Sequence, residues 1–452
     1  MRYSDAVKYL ESLINYEKLS AYDYRGSLKL ERIIRLLELL GEPHKDVPAV
    51  HIAGTKGKGS TAAMTASVLQ EAGLRTGLYT SPHLSDFRER IRLNGEFIEK
   101  DAVCSLLEKI RPAVEELNSK FHQAPSFFEV YTALAFMYFA GRHISPGEPL
   151  AKRADIMVLE TGLGGRLDAT NVVRPLVCGI TQISYDHTDK LGSTLREIAG
   201  EKCGIIKDNS VCVSACQEKE ALEVIEEACR QRNTRLYLVG RDICYMQKEC
   251  SEQGQTFKVS GIFDTYESLE ISLLGEHQLV NAATAIGIVE ALKLGGIDIS
   301  PIAVRDGLKN AKWPGRLERV MADPAVILDG AQNRASAQAL AKAIKNIFKY
   351  ERLFLVLGIS KDKDIKGICD ELNPIADLVI FTKASLPRAA EPEALKPYFN
   401  NKKSFLADDV KDAVSLAMRS AGPGDLILVT GSLFVVGEAR EIFLKTQQYQ
   451  RV

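Results

Sequence analysis

Val47-Pro48-Ala49-Val50-His51-Ile52-Ala53 runs into Gly54-Thr55-Lys56-Gly57-Lys58-Gly59-Ser60, and a helical pattern follows from 61 to about 72. A buried strand, a glycine-rich turn and a helix in that order make a cradle for phosphate. Glycine lets backbone N–H groups point inward at an anion, and the helix adds its positive N-terminal end. A lysine then supplies a point charge, and a hydroxyl such as that of Ser60 reaches a phosphate-bound Mg²⁺. The match to the commonest form of such loops is imperfect, because Gly59 separates Lys58 from Ser60 and no glycine stands five residues before Gly57. The bland alternative is a tight strand-to-helix turn with an incidental lysine. Three glycines and a lysine within seven residues, placed between a strand and a helix, weigh against it.

Outward from the loop, strand and helix signals alternate. An N-terminal helical region spans 3–40, with Leu28, Ile33, Leu36, Leu37 and Leu40 at helical spacing. A short strand follows the loop's helix at 76–80, and helices are predicted over 100–118 and 127–140. Segments 155–160, 177–183, 211–216 and 236–239 read as buried strands. Such alternation implies a mostly parallel sheet covered by helices. From 243 to 274 polar and apolar residues alternate, which predicts a small antiparallel addition, and helices over 279–294 and 302–310 close the unit. Trp313-Pro314-Gly315-Arg316 reads as the junction. Beyond it, strands at 325–329, 353–358, 378–382 and 426–430 alternate with helical segments. The expected fold class is therefore α/β. A P-loop-type, mostly parallel sheet domain over 1–312 would be followed by a smaller Rossmann-like α/β domain over 313–452.

The bulk properties narrow the function. A chain of 452 residues is too long for one core. With 58 Lys and Arg against 59 Asp and Glu, no strong field favours nucleic acid or an anionic membrane. The first residues lead into a polar amphipathic helix without the apolar core of a signal peptide. The longest apolar run, 133–140, is too short to span a bilayer. The nine cysteines are scattered and form no Cys-x-x-Cys pair. They read as reduced thiols in a cytoplasmic protein, with Cys212 and Cys216 as buried neighbours in a strand.

In open α/β sheets ligands bind at the carboxyl ends of strands, so the residues standing there are candidates. After the second strand comes Thr80-Ser81-Pro82-His83, where Ser81 offers a hydroxyl to a metal. The segment 155–160 ends in Glu160, placed to serve a Mg²⁺ bridging ATP phosphates, with Gly162-Leu163-Gly164-Gly165-Arg166-Leu167-Asp168 beyond it. A lone glutamate at a strand end is ordinarily a solvated one. Segment 177–183 runs into Ser184-Tyr185-Asp186-His187-Thr188-Asp189, where His187 stands among carboxylates and a ligand role weighs evenly against a structural one. Lys202, in Glu201-Lys202-Cys203-Gly204, would ordinarily be a surface lysine.

Together these stretches resemble the folylpolyglutamate synthase and dihydrofolate synthase family of the Mur ligase superfamily. The resemblance is carried by 54–60, Thr80 to His83, Ser126-Phe127-Phe128-Glu129, Glu160 with 164–171, Asp186-His187-Thr188 and 201–206. It continues through Asn281-Ala282-Ala283, Pro314-Gly315-Arg316-Leu317-Glu318, Leu328-Asp329-Gly330-Ala331, Asp362-Lys363-Asp364 and Gly431-Ser432-Leu433, in the family's order. It implies an ATP-dependent ligase joining L-glutamate to the carboxylate of a tetrahydrofolate through an acyl phosphate, and allows dihydropteroate as a second acceptor. ATP would lie on Gly57, Lys58, Gly59 and Ser60, with Asn281, Arg316 and Asp329 completing its site. Ser81, Glu160 and His187 match magnesium ligands, with two Mg²⁺ implied. Lys202 matches a lysine carried as a carbamate formed from CO₂, and Lys58, Lys202 and His187 are the implied catalytic set. The pterin would be approached by Leu28, Lys29 and Leu30, by Ser126, Phe127, Phe128 and Glu129, and by Leu167, Asp168 and Ala169. The resemblance also implies a monomer.

Two departures stand out. Lys56 occupies a position where the family usually has asparagine, adding charge beside the phosphates at little cost. Gln332 and Arg334 stand where it usually has histidine and proline. That histidine is associated with glutamate, so Gln332 and Ser432 are the weakest candidates, for the glutamate site. Two other readings are a Mur-type ligase with another carboxylate acceptor, and a nucleotide-binding switch that never ligates. The Ser126–Glu129 stretch and the segment 28–32 argue against the first. Retention of the metal residues, Lys202 and a whole second domain argues against the second.

Overall fold

The chain forms two α/β domains, seen in a computed structural model that describes residues 1–19, 22–122, 124–143 and 153–449. The larger sheet has eight strands: β1 (Ala49–Ala53), β2 (Thr76–Tyr79), β3 (Ile91–Leu93), β4 (Glu96–Phe97), β5 (Ile156–Glu160), β6 (Val177–Ile180), β7 (Val211–Ser214) and β8 (Arg235–Leu238). Their spatial order is β4-β3-β2-β5-β1-β6-β7-β8. All neighbours from β2 to β8 pair in parallel, and only β3 and β4 run antiparallel at one edge. Residues of β5 alternate between two cores, Ile156 and Val158 facing one and Met157 and Leu159 the other. A period of two with both faces apolar is what a strand covered on both sides requires.

One core is closed by helices Tyr3–Ser12, Leu30–Leu39, Lys100–Phe121 and Phe127–Phe139. On the other, helix Lys58–Glu71 lies beneath helices Glu276–Ala291 and Pro301–Asn310 and is buried on nearly every side. The close crossing with Pro301–Asn310 depends on Gly307, where a Cβ would come within 2.4 Å of Val68 Cα. A three-stranded antiparallel sheet of β9 (Cys244–Ser251), β10 (Gly254–Ser260) and β11 (Thr265–Ile271) covers this side as expected.

The second domain holds six strands in the order β12-β13-β17-β14-β15-β16. These are β12 (Glu318–Ala322), β13 (Ala325–Leu328), β14 (Leu353–Leu357), β15 (Leu378–Phe381), β16 (Lys403–Leu406) and β17 (Leu426–Thr430). Only β12 is antiparallel.

Three expectations need correction. The N-terminal helical region is broken: helix Tyr3–Ser12 is separated from Leu30–Leu39 by a loop and the single turn Tyr24–Ser27. The edge strands β4, β12 and β16, and the three-residue β3 beside β4, carried no readable pattern, because strands at or near an edge bury little and need few apolar residues. Cys212 is buried as expected, but Cys216 is exposed just beyond the end of β7. All nine cysteines are free thiols. No helix among the described residues is long and apolar enough to cross a membrane.

His51, in the middle of β1, is fully buried and its Nε2 lies 2.8 Å from Thr170 Oγ1, while Nδ1 has no partner. Burial pulls its pKa from the ordinary 6.5 down to about 3. Because the folded pKa lies below the unfolded one, the unfolded chain binds the extra proton between these values. Stability from this group is complete above pH 6.5 and falls as pH drops towards 3. One such histidine costs about 2 kcal/mol by pH 5. Urea midpoints should therefore fall more steeply between pH 7 and 5 in the native chain than in His51→Gln. Parallel slopes would contradict the assignment.

Candidate active site

The neighbouring strands β2, β5, β1 and β6 end along one edge of the larger sheet. Each delivers residues to a single cavity of about 760 Å³. Ser81 follows β2, Glu160 closes β5, the loop 54–60 follows β1, and Asp186 and His187 follow β6. The second domain contributes Arg316, Asp329, Gln332, Lys363 and Arg388 to the same cavity. The site thus lies between the domains.

The loop is shaped by its glycines. Gly57 is the N-cap of helix Lys58–Glu71 with φ +87°, and a Cβ there would fall 2.1 Å from Asn281 Oδ1. Both backbone conformation and space therefore demand glycine. Lys58 opens the helix and lines the cavity, where the first free N–H groups of the helix favour an anion. Asn281 is held by its Nδ2 donating to Gln278 Oε1 at 2.9 Å. Asp329 accepts from the backbone of Leu317 and of Ala331, both at 2.9 Å. Burial pushes the Asp329 carboxyl up against the pull of Arg316.

Glu160 is 4 % exposed and accepts a hydrogen bond from Ser81 N at 3.2 Å. Burial raises its carboxyl pKa, opposed by Lys58 and Arg316. His187 has φ +50°, and burial lowers its pKa to about 3, so the ring is neutral at pH 7 with a free lone pair. A buried carboxylate, a hydroxyl and a neutral imidazole are a donor set that fits a divalent cation. Among the described residues no three His, Cys, Asp or Glu side chains form a ready-made metal cluster. Any cation here would draw on Ser81 and on further oxygens.

Lys202 is not a surface lysine. It is 3 % exposed at the end of helix Leu195–Cys203, and its Nζ donates to Gly54 O at 2.8 Å. Burial, with Lys58 and Lys56 nearby, lowers its pKa to about 7. A large part of the amine is then neutral at physiological pH.

Lys56 also behaves differently from expectation. Its Nζ lies 3.0 Å from Asp186 Oδ2, so its charge is taken up by that carboxylate and not left beside the loop. Asp186 is shared with the second domain: Lys363 Nζ approaches Oδ1 at 3.0 Å and Asn333 Nδ2 donates to Oδ2 at 3.2 Å. Burial pushes Asp186 up, but Lys56, His187 and Lys363 together hold it far below the usual carboxylate range.

Comparison with known proteins gives this geometry a family. The Mur ligase middle domain matches residues 146–289, and the Mur ligase glutamate ligase domain matches 315–433. The dihydrofolate synthase/folylpolyglutamate synthase of Bacillus subtilis is 38 % identical over 414 residues, covering 91 % of this chain and 94 % of that protein. The chain belongs to the folylpolyglutamate synthase and dihydrofolate synthase family. Its fold matches Mycobacterium tuberculosis folylpolyglutamate synthase complexed with ADP, with a TM-score of 0.87, 34 % identity and 98 % of each chain covered. It also matches Escherichia coli FolC in complex with DHPP and ADP, with a TM-score of 0.85, 30 % identity and 99 % of each chain covered.

Within this folylpolyglutamate synthase fold, most residues singled out for the pterin reach the cavity: Leu28, Lys29, Leu30, Ser126, Phe128, Glu129, Leu167, Asp168 and Ala169. Two of them also do structural work. Ser126 and Glu129 form a capping box on helix Phe127–Phe139, and Glu129 pairs with Arg32 at 3.0 Å. Asp168 accepts from Gly162 N and Leu163 N at 2.8 and 3.0 Å, fixing the turn after β5. Phe127 is not brought to the cavity; it stacks on Tyr131 at 5.4 Å under the Arg90 guanidinium. Gln332 lines the cavity, whereas Ser432 lines a separate small crevice with Ser360. Sequence reasoning missed Tyr16, Glu17 and Tyr22 from the N-terminal loop, and gave no role to Lys363 and Arg388. Lys363 stood inside a motif already singled out. The tyrosines carried no signal, because that stretch read as helix.

Proposed function

We propose that this chain ligates L-glutamate to the carboxylate of a reduced folate at the expense of ATP, with dihydropteroate as a further acceptor. The observation that carries this reading is the shared cavity, in which a phosphate loop on one domain faces Arg316 and Asp329 of the other. A second domain at the phosphate site suits a ligase, whose activated intermediate must be kept from water.

Phosphate groups of ATP would rest on the backbone N–H groups of Gly57, Lys58, Gly59 and Ser60, with Asn281, Arg316 and Asp329 holding the rest of the nucleotide. The folate would lie along Leu28, Leu30, Phe128 and Leu167. Its carboxylate oxygen attacks the γ-phosphorus, ADP leaves, and an acyl phosphate results. Lys58 opposes the negative charge that develops during this transfer. The free amine of glutamate then attacks the acyl carbon, loses a proton and expels phosphate, leaving an amide. Gln332 faces this step and can donate and accept hydrogen bonds without carrying charge. Two Mg²⁺ ions, held by Ser81, Glu160, His187 and a carbamate on Lys202, would neutralise phosphate charge when bound. The lowered pKa of Lys202, about 7, supports carbamate formation, since only the unprotonated amine reacts with CO₂. We further infer a domain division at 312/313, a monomer and a cytoplasmic location.

The test is stoichiometric. Purified protein given ATP, Mg²⁺, bicarbonate, tetrahydrofolate and glutamate should release one phosphate per amide, and none when either organic substrate is left out. Phosphate release without them, and no glutamylated product by mass, would sink the ligase reading. Parallel assays with dihydropteroate decide the second acceptor.

A further inference from the structure

Gly59, the residue that sets this loop apart, has no room for a side chain. A Cβ built there would lie 2.8 Å from Cζ2 of the Trp313 indole and 3.0 Å from its Cε2 and Nε1. Gly59 is helical, with a backbone any residue can adopt, so conformation does not require glycine. The tryptophan does. Trp313 is the only tryptophan of the chain and stands in the linker between helix Pro301–Asn310 and β12. Its ring packs against the first domain's core, with the Arg92 guanidinium 5.5 Å from the ring centroid.

The far end of the same linker is fastened to the second domain. Gly315 O accepts from Gly330 N at 2.9 Å, and Leu317 N donates to Asp329 Oδ2 at 2.9 Å. Gly315 and Leu317 both have positive φ, at +72° and +44°, so the bend is sharp and held by Asp329. Arg316 lies between them, and both Arg316 and Asp329 line the cavity. Only two residues, Pro314 and Gly315, therefore separate an indole seated on the phosphate loop from a guanidinium in the site.

We propose that Trp313 is a positioning residue: its indole, seated on Gly59, sets Arg316 and Asp329 in register with the phosphate loop. Nucleotide on the loop and placement of the second domain's groups then become one event. The inference rests on the reading of the cavity as an ATP-dependent ligase site. It explains why Gly59 interrupts the loop. A residue that merely filled the core would affect stability without changing how ATP use is coupled to amide formation.

The test is a double-mutant cycle in the full-length protein, with kcat, KM for ATP and phosphate released per amide as readouts. Trp313→Ala should raise KM for ATP about tenfold and push phosphate per amide above one, while Trp313→Phe keeps most of the native coupling. Gly59→Ala should cost about tenfold in the native background and less than about threefold when Trp313 is already alanine. Trp313→Leu serves the same cycle if the alanine variant does not fold. The emission of the single tryptophan should also shift when a non-hydrolysable ATP analogue is added. Additive losses, native coupling in the alanine variant, or an unresponsive emission would each overturn the proposal. A native chain that makes no amide would instead overturn the ligase reading, and the emission titration separates the two failures.

Discussion

Lys58→Ala should abolish phosphoryl transfer while leaving the fold intact. The side chain opens helix Lys58–Glu71 and is only partly buried at the cavity, so little core packing goes with it. What goes is a charge on which its neighbours depend. Lys58 pulls the Glu160 carboxyl down and is the largest Coulombic influence lowering Lys202. Its removal would leave Glu160 more readily protonated and Lys202 more firmly charged, the wrong form for each. It would also leave the transferred phosphoryl group without its cation. Loss of one preorganised group opposing transition-state charge costs about 10²–10³-fold, and the two altered neighbours add to that. The expected result is a fall in kcat of about 10³-fold or more with an almost unchanged melting temperature. Product mass and phosphate release check it. Turnover within tenfold of the native chain would remove Lys58 from the mechanism.

Lys202→Ala should come next in size, with a loss of about 10²–10³-fold and partial recovery on adding short carboxylates. Burial sets the chemistry of this amine. An ammonium 3 % exposed, beside Lys58 and Lys56, is unfavourable, and its pKa falls to about 7. Unfolded lysine titrates near 10.5, so the folded chain gives up this proton at a pH where the free side chain keeps it. Above about 7 the amine is free to take CO₂. A carbamate there would reverse the sign of the group and offer two oxygens to the proposed metal site. Protein stripped of CO₂ should therefore regain activity faster at pH 8 than at pH 6 when dissolved CO₂ is matched. A carbamate carbon signal from labelled bicarbonate would report the modification directly. Full activity of the alanine variant would end the assignment.

Much of this site was legible because strand ends are legible. The loop 54–60, Ser81, Glu160 and His187 each follow an apolar run, and the parallel order β2-β5-β1-β6 gathers them. What the sequence hid was depth and pairing. Lys202 looks like any helix-terminal lysine until neighbouring elements close over it. Lys56 looks like a second phosphate contact until Asp186, far away in the chain, takes its charge. Phe127 sits in a stretch that points to the pterin, yet helical geometry turns it towards Tyr131 while Phe128 reaches the cavity. The N-terminal tyrosines were lost because Leu28 to Leu40 has a helical period that masks the break before it.

The way β13 is held has a consequence for biosynthesis. Asp329 follows β13 directly, and β13 lies between β12 and β17, the last strand of the chain. Asp329 therefore finds its place only after residues 426–430 have been made and have joined the sheet. Under the proposed assignment of Asp329 to ATP, a chain still on the ribosome can form the 54–60 loop but not the completed nucleotide site.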